Sequence, residues 1–283
     1  MPISPTQPTA SEQLYLELIN RTRMDPAQEG RMLKALAESG LPEASGIKHH
    51  VDSFGVDLDA FVAQISAYKA VAPLAWNGNL ADAAEGHSVR MRDAQEQSHQ
   101  LGAGSPEGSP EEEPLRARLQ NAGYDFSGGY GYGENVFASS QSVIFGHAAF
   151  VIDWGGGNLD LNGDGIQDDA GHLKNILRPA YQEVGISNIN DNVPGGDIGP
   201  EIVTQNFAYN GSYQSQLLGV VIDDTDNDNF YDIGEGLGGI TVTATGSAGT
   251  YTTTSWTAGG YQMVLPSGTY TVTCEGGALS GMF

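Results

Sequence analysis

Near Ser212 the texture of the chain changes, and that change limits the fold more than any motif does. Ahead of it, apolar residues recur at helical spacing, and strand-like runs come only late. Behind it, LLGVVID, GITVTATG, GTYTTTSWT, GYQMVL and GTYTVTC are short runs rich in Val, Thr and Tyr, parted by Gly, Pro or Asp turns. A chain of 283 residues divided in this way reads as two units: a helix-and-strand domain over 8–210, a linker over 211–215, and an all-β module over 216–283. The predicted class is α+β or an α-β-α sandwich, followed by a second, smaller all-β module. EGGALSGMF, after Cys274, has no evident terminal strand, so the module is expected to be cut short.

Within the first unit, Ser11 is the N-cap candidate of an opening helix whose apolar face is Leu14, Leu16, Leu18 and Ile19. AQEGRMLKALAESG predicts a second helix ending at Gly40. GLPEASGIKHHVDSFG reads as loop, with His49 and His50 on the surface. LDAFVAQISAYKAV and NLADAAEGHSVRMRDAQEQ have helical spacing. SHQLGAGSPEGSPEEEP is a loop and LRARLQNAGYD a short helix, and FSGGYGYGENVFASS is a glycine-rich approach to a strand or a helix start. SQSVIFGHAAFVIDW predicts a helix, GGGNLDLNGDGIQDDAG a long loop, and HLKNILRP a short helix stopped by Pro179. YQEVGISNI and EIVTQNFAY are strands.

A formal charge of −23 with only 12 Lys+Arg argues against nucleic acid as a partner, because neutralising phosphates takes clustered cations. An anionic membrane would repel the chain too, and no apolar run is long enough to span one. Acidity on this scale fits a well-solvated surface or cation binding. Cys274 is the single cysteine, so no intrachain disulfide can form. MPISPTQPTA has neither a basic n-region nor an apolar h-region, so export, if it occurs, is expected to be non-classical or type I-like.

Two acidic runs have calcium-loop spacing. In the first, Asp160, Asn162, Asp164, the carbonyl of Ile166 and Asp168 fall at positions 1, 3, 5, 7 and 9, with Gly165 at position 6 for the sharp turn. Position 12 is Gly171, so a bidentate ligand comes from Asp169, from elsewhere, or not at all. In the second, Asp224, Asp226, Asp228, the carbonyl of Phe230, Asp232 and Glu235 fill positions 1, 3, 5, 7, 9 and 12. Calcium is the expected cofactor of both. The alternative is a pair of ordinary Asx-turn loops.

Of the six histidines, His87, His99 and His172 occupy segments where a cleft could form, and Glu134 is the nearest carboxylate candidate; spacing alone does not select them. The order of segments adds more. EQLYLELINRTRMDP, PLAWNGNLADAAEGHS, Ser98-His99, the GENV run Gly133 to Val136, GHLKNIL with YQEVGIS, and TQNFA at Thr204 to Ala208 together resemble the CAP superfamily of cysteine-rich secretory, antigen 5 and pathogenesis-related proteins. The resemblance is to its disulfide-poor bacterial branch and covers about residues 8–210. It implies an α-β-α sandwich whose central cleft gathers two histidines and two acids, here His99, Glu134, Asp153 and His172. Phe150 stands where the family has a tryptophan, three residues ahead of Asp153. His99 and His172 would be the zinc ligands of an open site, with the two acids orienting the rings. His87 and His147 are read as structural.

The segment from about 216 to 274 resembles the B-type repeats of bacterial surface adhesins and the carboxypeptidase-regulatory-like sandwiches. The implied protein is secreted and extracellular, its cleft binding a small apolar molecule, a lipid or a cell-envelope component. The alternatives are a metal-assisted peptidase or esterase using the same cleft, and an extracellular matrix or adhesion protein.

Overall fold

The computed structural model describes residues 6–156, 159–277 and 279. Helix α1 spans Ala10–Met24 and starts from Thr9 rather than Ser11. The Thr9 hydroxyl takes the Glu12 N–H while the Glu12 carboxylate takes the Thr9 N–H at 2.8 Å, so two orphan donors are satisfied reciprocally. Helix α2, Pro26–Glu38, is capped by Asp25 with proline in its first turn. The segment read as loop forms instead a 3-10 turn at Pro42–Ala44 and helix α3, Ser45–Phe54. Its single buried pair, Ile47 and Val51, has i,i+4 spacing too sparse to stand out among polar neighbours. His50 is only half-exposed, stacked on Trp154 at 5.3 Å between ring centroids.

The remaining helices are α4 (Leu58–Ser66), α5 (Gly78–Ala94), α6 (Leu115–Asn121), α7 (Val143–Ile152) and α8 (Gly171–Ile176). The strands of this domain are β1 (Ala75–Trp76), β2 (Tyr130–Ser140), β3 (Glu183–Asn190) and β4 (Glu201–Asn210), in sheet order β1-β3-β4-β2. All pairs are antiparallel except β1 with β3. Period-two alternation sorts the side chains into layers. Val203 and Phe207 of β4 join the large core built on α1, α7 and α8, while Ile202 and Ala208 face α5. Helix α5 lies so close to β3 that a Cβ at Gly185 would collide with the backbone of Leu80 and Ala81. The domain is α+β, three layers deep.

Arg23 is fully buried with no acidic partner among the described residues. Its guanidinium donates to the carbonyls of Ala72 (2.7 Å), Ile176 (2.5 Å), Arg178 (3.2 Å) and Tyr181 (3.1 Å), tying α1 to two distant segments. A second polar knot joins α1, α2 and α7. Buried Glu29 accepts from Arg21 at 2.6 Å and pairs with His147 Nε2 at 2.9 Å.

After Asn210 the chain enters strands β5 (Gln216–Val220), β6 (Thr241–Gly246), β7 (Gly249–Thr254), β8 (Gly260–Val264) and β9 (Tyr270–Glu275). They form a β5-β8 pair and a β7-β6-β9 sheet, with Val221, Ile240, Val242, Ala244 and Met263 between them. This part sits directly on the first. The Gln262 amide takes the Trp76 N–H at 3.1 Å and donates to the Trp76 carbonyl at 3.0 Å, covering the open edge of β1 as a strand would. Tyr231 bonds the Ala10 carbonyl at 3.3 Å, and the Arg21 guanidinium lies 4.5 Å from the Phe230 ring centre.

Candidate functional site

Strand β2 is the far edge of the domain sheet, and the GEN run lies on it. Each residue of that run has its own physical reason. A side chain at Gly133 would collide with the Tyr181 hydroxyl and the Asn175 amide, so only glycine lets α8 and the Tyr181 ring approach. Glu134 points to the α5 side, with Val136 and Ala138. Asn135 points to the other face, toward α8.

On the α5 side, Glu134 Oε1 meets His99 Nδ1 at 3.0 Å. The carboxylate is almost wholly buried while the imidazole is 62% exposed. His99 rides on the loop after α5, and that loop is pinned on both sides of it. Buried His87 reaches the Ser98 carbonyl with Nε2 and Glu112 with Nδ1, both at 2.8 Å, and Glu112 takes the Leu101 N–H at 3.0 Å. Burial would raise the Glu112 pKa, but bonds from His87 and Leu101 and the charge of Arg118 hold it below the usual carboxylate range. His87 is therefore a strut for the loop, as its helix-face position suggested.

Arg118 completes this half. Its Nη2 donates to the His99 carbonyl at 2.9 Å and to Glu134 Oε1 at 3.2 Å, and Nη1 lies 3.0 Å from Glu134 Oε2. Sequence reasoning missed this residue. The available signal was that Arg118 shares a face of α6 with Leu115 and Leu119 and so had to point inward.

On the other face, Asp153 caps α7 in the left-handed conformation, φ 57° and ψ 44°, fully buried. Its Oδ1 meets His172 Nδ1 at 2.7 Å and its Oδ2 takes the His172 backbone N–H at 2.9 Å. Phe150 packs on that ring, centroids 5.3 Å apart, and the His172 side chain is 27% exposed.

The two dyads are linked through consecutive strand residues. Asn135 Nδ2 donates to the His172 carbonyl at 3.2 Å, and Asn175 Nδ2 donates to Asn135 Oδ1 at 2.9 Å and to the Glu134 carbonyl at 3.2 Å. In both dyads the carboxylate meets Nδ1, and no hydrogen bond from the described residues reaches either Nε2, which as a lone-pair nitrogen could serve as a base or a ligand. The acids are committed to the rings, so only the imidazole nitrogens would remain as side-chain donors for a divalent ion. Catalytic zinc commonly has three protein ligands, so solvent or a bound molecule would have to fill the other positions. Among the described residues, the sets of three or more His, Cys, Asp or Glu ligand atoms within 4.8 Å of one another both belong to the second acidic loop.

Those sets are Asp224, Asp226 and Glu235, and Asp226, Asp228 and Asp232. Burial raises the Asp232 pKa, and the charges of Asp228, Asp226 and Glu235 add to the effect. Phe230 lies between them and donates its N–H to Asp228 at 2.6 Å. In the first loop the acceptors face the loop's own backbone. Asp160 takes N–H groups of Gly163, Asp164 and Gly165, Asn162 that of Asp164, Asp164 that of Ile166, and Asp168 that of Leu161. Asp169 is paired with Lys174 at 2.8 Å.

The profile of the cysteine-rich secretory protein family, CAP, matches residues 16–207. Among solved structures, a 1.5 Å crystal structure of an extracellular protein containing an SCP domain, from Bacillus anthracis str. Ames, matches at 25% identity. The match covers 48% of this chain and 34% of that one, with a TM-score of 0.32. This chain thus spans about a third of that neighbour's length. No curated protein matches the sequence. No helix among the described residues is long and apolar enough to cross a membrane.

Proposed function

Because the chain belongs to the cysteine-rich secretory protein family, we propose that it is a secreted binding protein whose double-dyad cleft takes a small apolar or cell-envelope ligand. The observation that carries this reading is the linkage of the His99–Glu134 and His172–Asp153 pairs through Glu134 and Asn135. Two oriented imidazoles give such a cleft directional polar contacts. Zinc is proposed as the ion of this site, with His99 and His172 as its side-chain donors. Calcium is proposed for both acidic loops, with the stronger case at Asp224 to Glu235. An extracellular location is proposed from the family, and calcium in the loops would agree with it.

A second reading has its own support: an imidazole held by a buried carboxylate is the arrangement of a general base, so the same cleft suits a hydrolase. Zinc titration by calorimetry, with ester and peptide hydrolysis measured in parallel on the wild type, His99→Ala and His172→Ala, separates the two. Zinc or ligand binding lost in both variants, without turnover in any protein, supports the binding protein. Turnover lost in both variants supports the hydrolase, and indifference of every readout to both substitutions removes the cleft from consideration.

A further inference from the structure

At the edge of the sheet opposite the dyads, the seam between the two parts encloses a crevice of about 250 Å³. One stripe of α1 forms its floor, and Trp76, Trp256 and Tyr261 bring aromatic rings to its walls. Glu17 sits on the floor. Its Oε1 takes the Gln13 amide at 2.7 Å, and no hydrogen bond from the described residues reaches Oε2. The cation placed to neutralise it, Arg21 one turn on, is diverted: it makes two hydrogen bonds to Glu29, at 2.6 and 3.0 Å, and lies over Phe230. No other Lys, Arg or His among the described residues makes an ion pair with Glu17.

Burial pushes the Glu17 pKa up, and the hydrogen bond from Gln13 recovers only part of it. The Tyr261 and Tyr231 phenols are raised first by burial and in part by the Glu17 charge, so the carboxylate acts on both rings. With its nitrogen committed to Glu17, Gln13 keeps a buried Oε1 without a partner. That amide fits against the second part only because residue 260 is glycine.

Glu17 is only half-buried, but its carboxylate has no counter-ion among the described residues, and aromatic faces beside it attract cations. We propose that the seam crevice binds a small organic ammonium ion, its charged head at Glu17 and its apolar body against Trp256 and Tyr261. The site is separate from the dyad cleft and does not depend on the function proposed there. A purely apolar ligand would leave Glu17 uncompensated, and a bare inorganic cation would leave the aromatic walls unused.

The test uses calorimetry on the full chain with phenethylammonium chloride and its uncharged isostere 2-phenylethanol, at matched ionic strength. The ammonium probe is expected to saturate one site at about millimolar concentration, with the alcohol at least about tenfold weaker. Glu17→Gln should abolish that preference without lowering the melting temperature, since it removes a half-buried charge that has no ionic partner among the described residues and keeps a group able to bond Gln13. Equal binding of the two probes by the wild type, a preference that survives in Glu17→Gln, or no saturable heat by about 20 mM would each overturn the proposal. The comparison of isosteres needs no variant, so a folding defect in Glu17→Gln would not remove the test.

Discussion

Asn135 donates its side-chain amide to the carbonyl of His172 across 37 residues of sequence, at 3.2 Å. The strand that holds one histidine's carboxylate therefore also holds the helix that presents the other histidine. Asn135→Ala should release α8 from β2. We expect a loss of about 1 to 2 kcal/mol and a shifted His172 imidazole resonance, with that of His99 unmoved. Equal movement of both rings in NMR spectra would mean that the link does not act selectively on α8.

Asp153 holds His172 by ring and backbone together, so Asp153→Asn keeps the cap but sets an amide against Nδ1. The ring should change tautomer, and zinc affinity measured by titration should fall about 10- to 100-fold, the usual cost of losing an orienting carboxylate. An unchanged affinity would remove Asp153 from the site.

Glu29 links folding to pH. Burial alone would raise its pKa, but hydrogen bonds and charge from His147 and Arg21 hold it down to about 2, from an ordinary 4.5. A depressed carboxylate stabilises fully above its unfolded pKa, and the benefit is lost as pH falls through the folded one. Stability should thus drop by about 3 kcal/mol between about pH 4.5 and 2 on account of this group. Denaturant melts across that window should show a shallower acid slope for Glu29→Gln, alongside a lower plateau at neutral pH, where Arg21 and His147 lose their partner.

Gly133→Ala adds one methyl where Tyr181 and Asn175 close on β2. Tyr181 is buried and stacked on Phe207, so it cannot swing away. We expect about 1 to 3 kcal/mol of destabilisation by thermal melt. A neutral effect would mean that α8 yields easily.

Strands β3 and β4 and most helices were legible because period-two and period-3.6 patterns are strong in EIVTQNFAY and SEQLYLELI, whereas the glycines of β2 blur its period and two-residue β1 has none. Helix α3 was not, since Ile47 and Val51 alone carry its buried face. The four cleft residues came from segment order, which says nothing of how they are held. Arg118, Asn135 and Asn175 escaped notice because a polar side chain facing inward has the same letter as one facing water. His87 and His147 carried a pattern that suggested structure, and both are buried beside a carboxylate. The cover that Gln262 lays over β1 left no trace at all, because long-range pairing of one amide has no period.

The matched region, 16–207, contains no cysteine, and the chain's single one, Cys274, is exposed. Where a secreted relative could fasten distant segments with sulfur, this chain fastens 23, 72, 176, 178 and 181 with one guanidinium. Reductants cannot cut such a tie. Melting should be the same with and without dithiothreitol, whereas Arg23→Met, which strands those carbonyls, should cost about 3 kcal/mol or more. Maturation of the matched region is thereby freed from any disulfide-forming step.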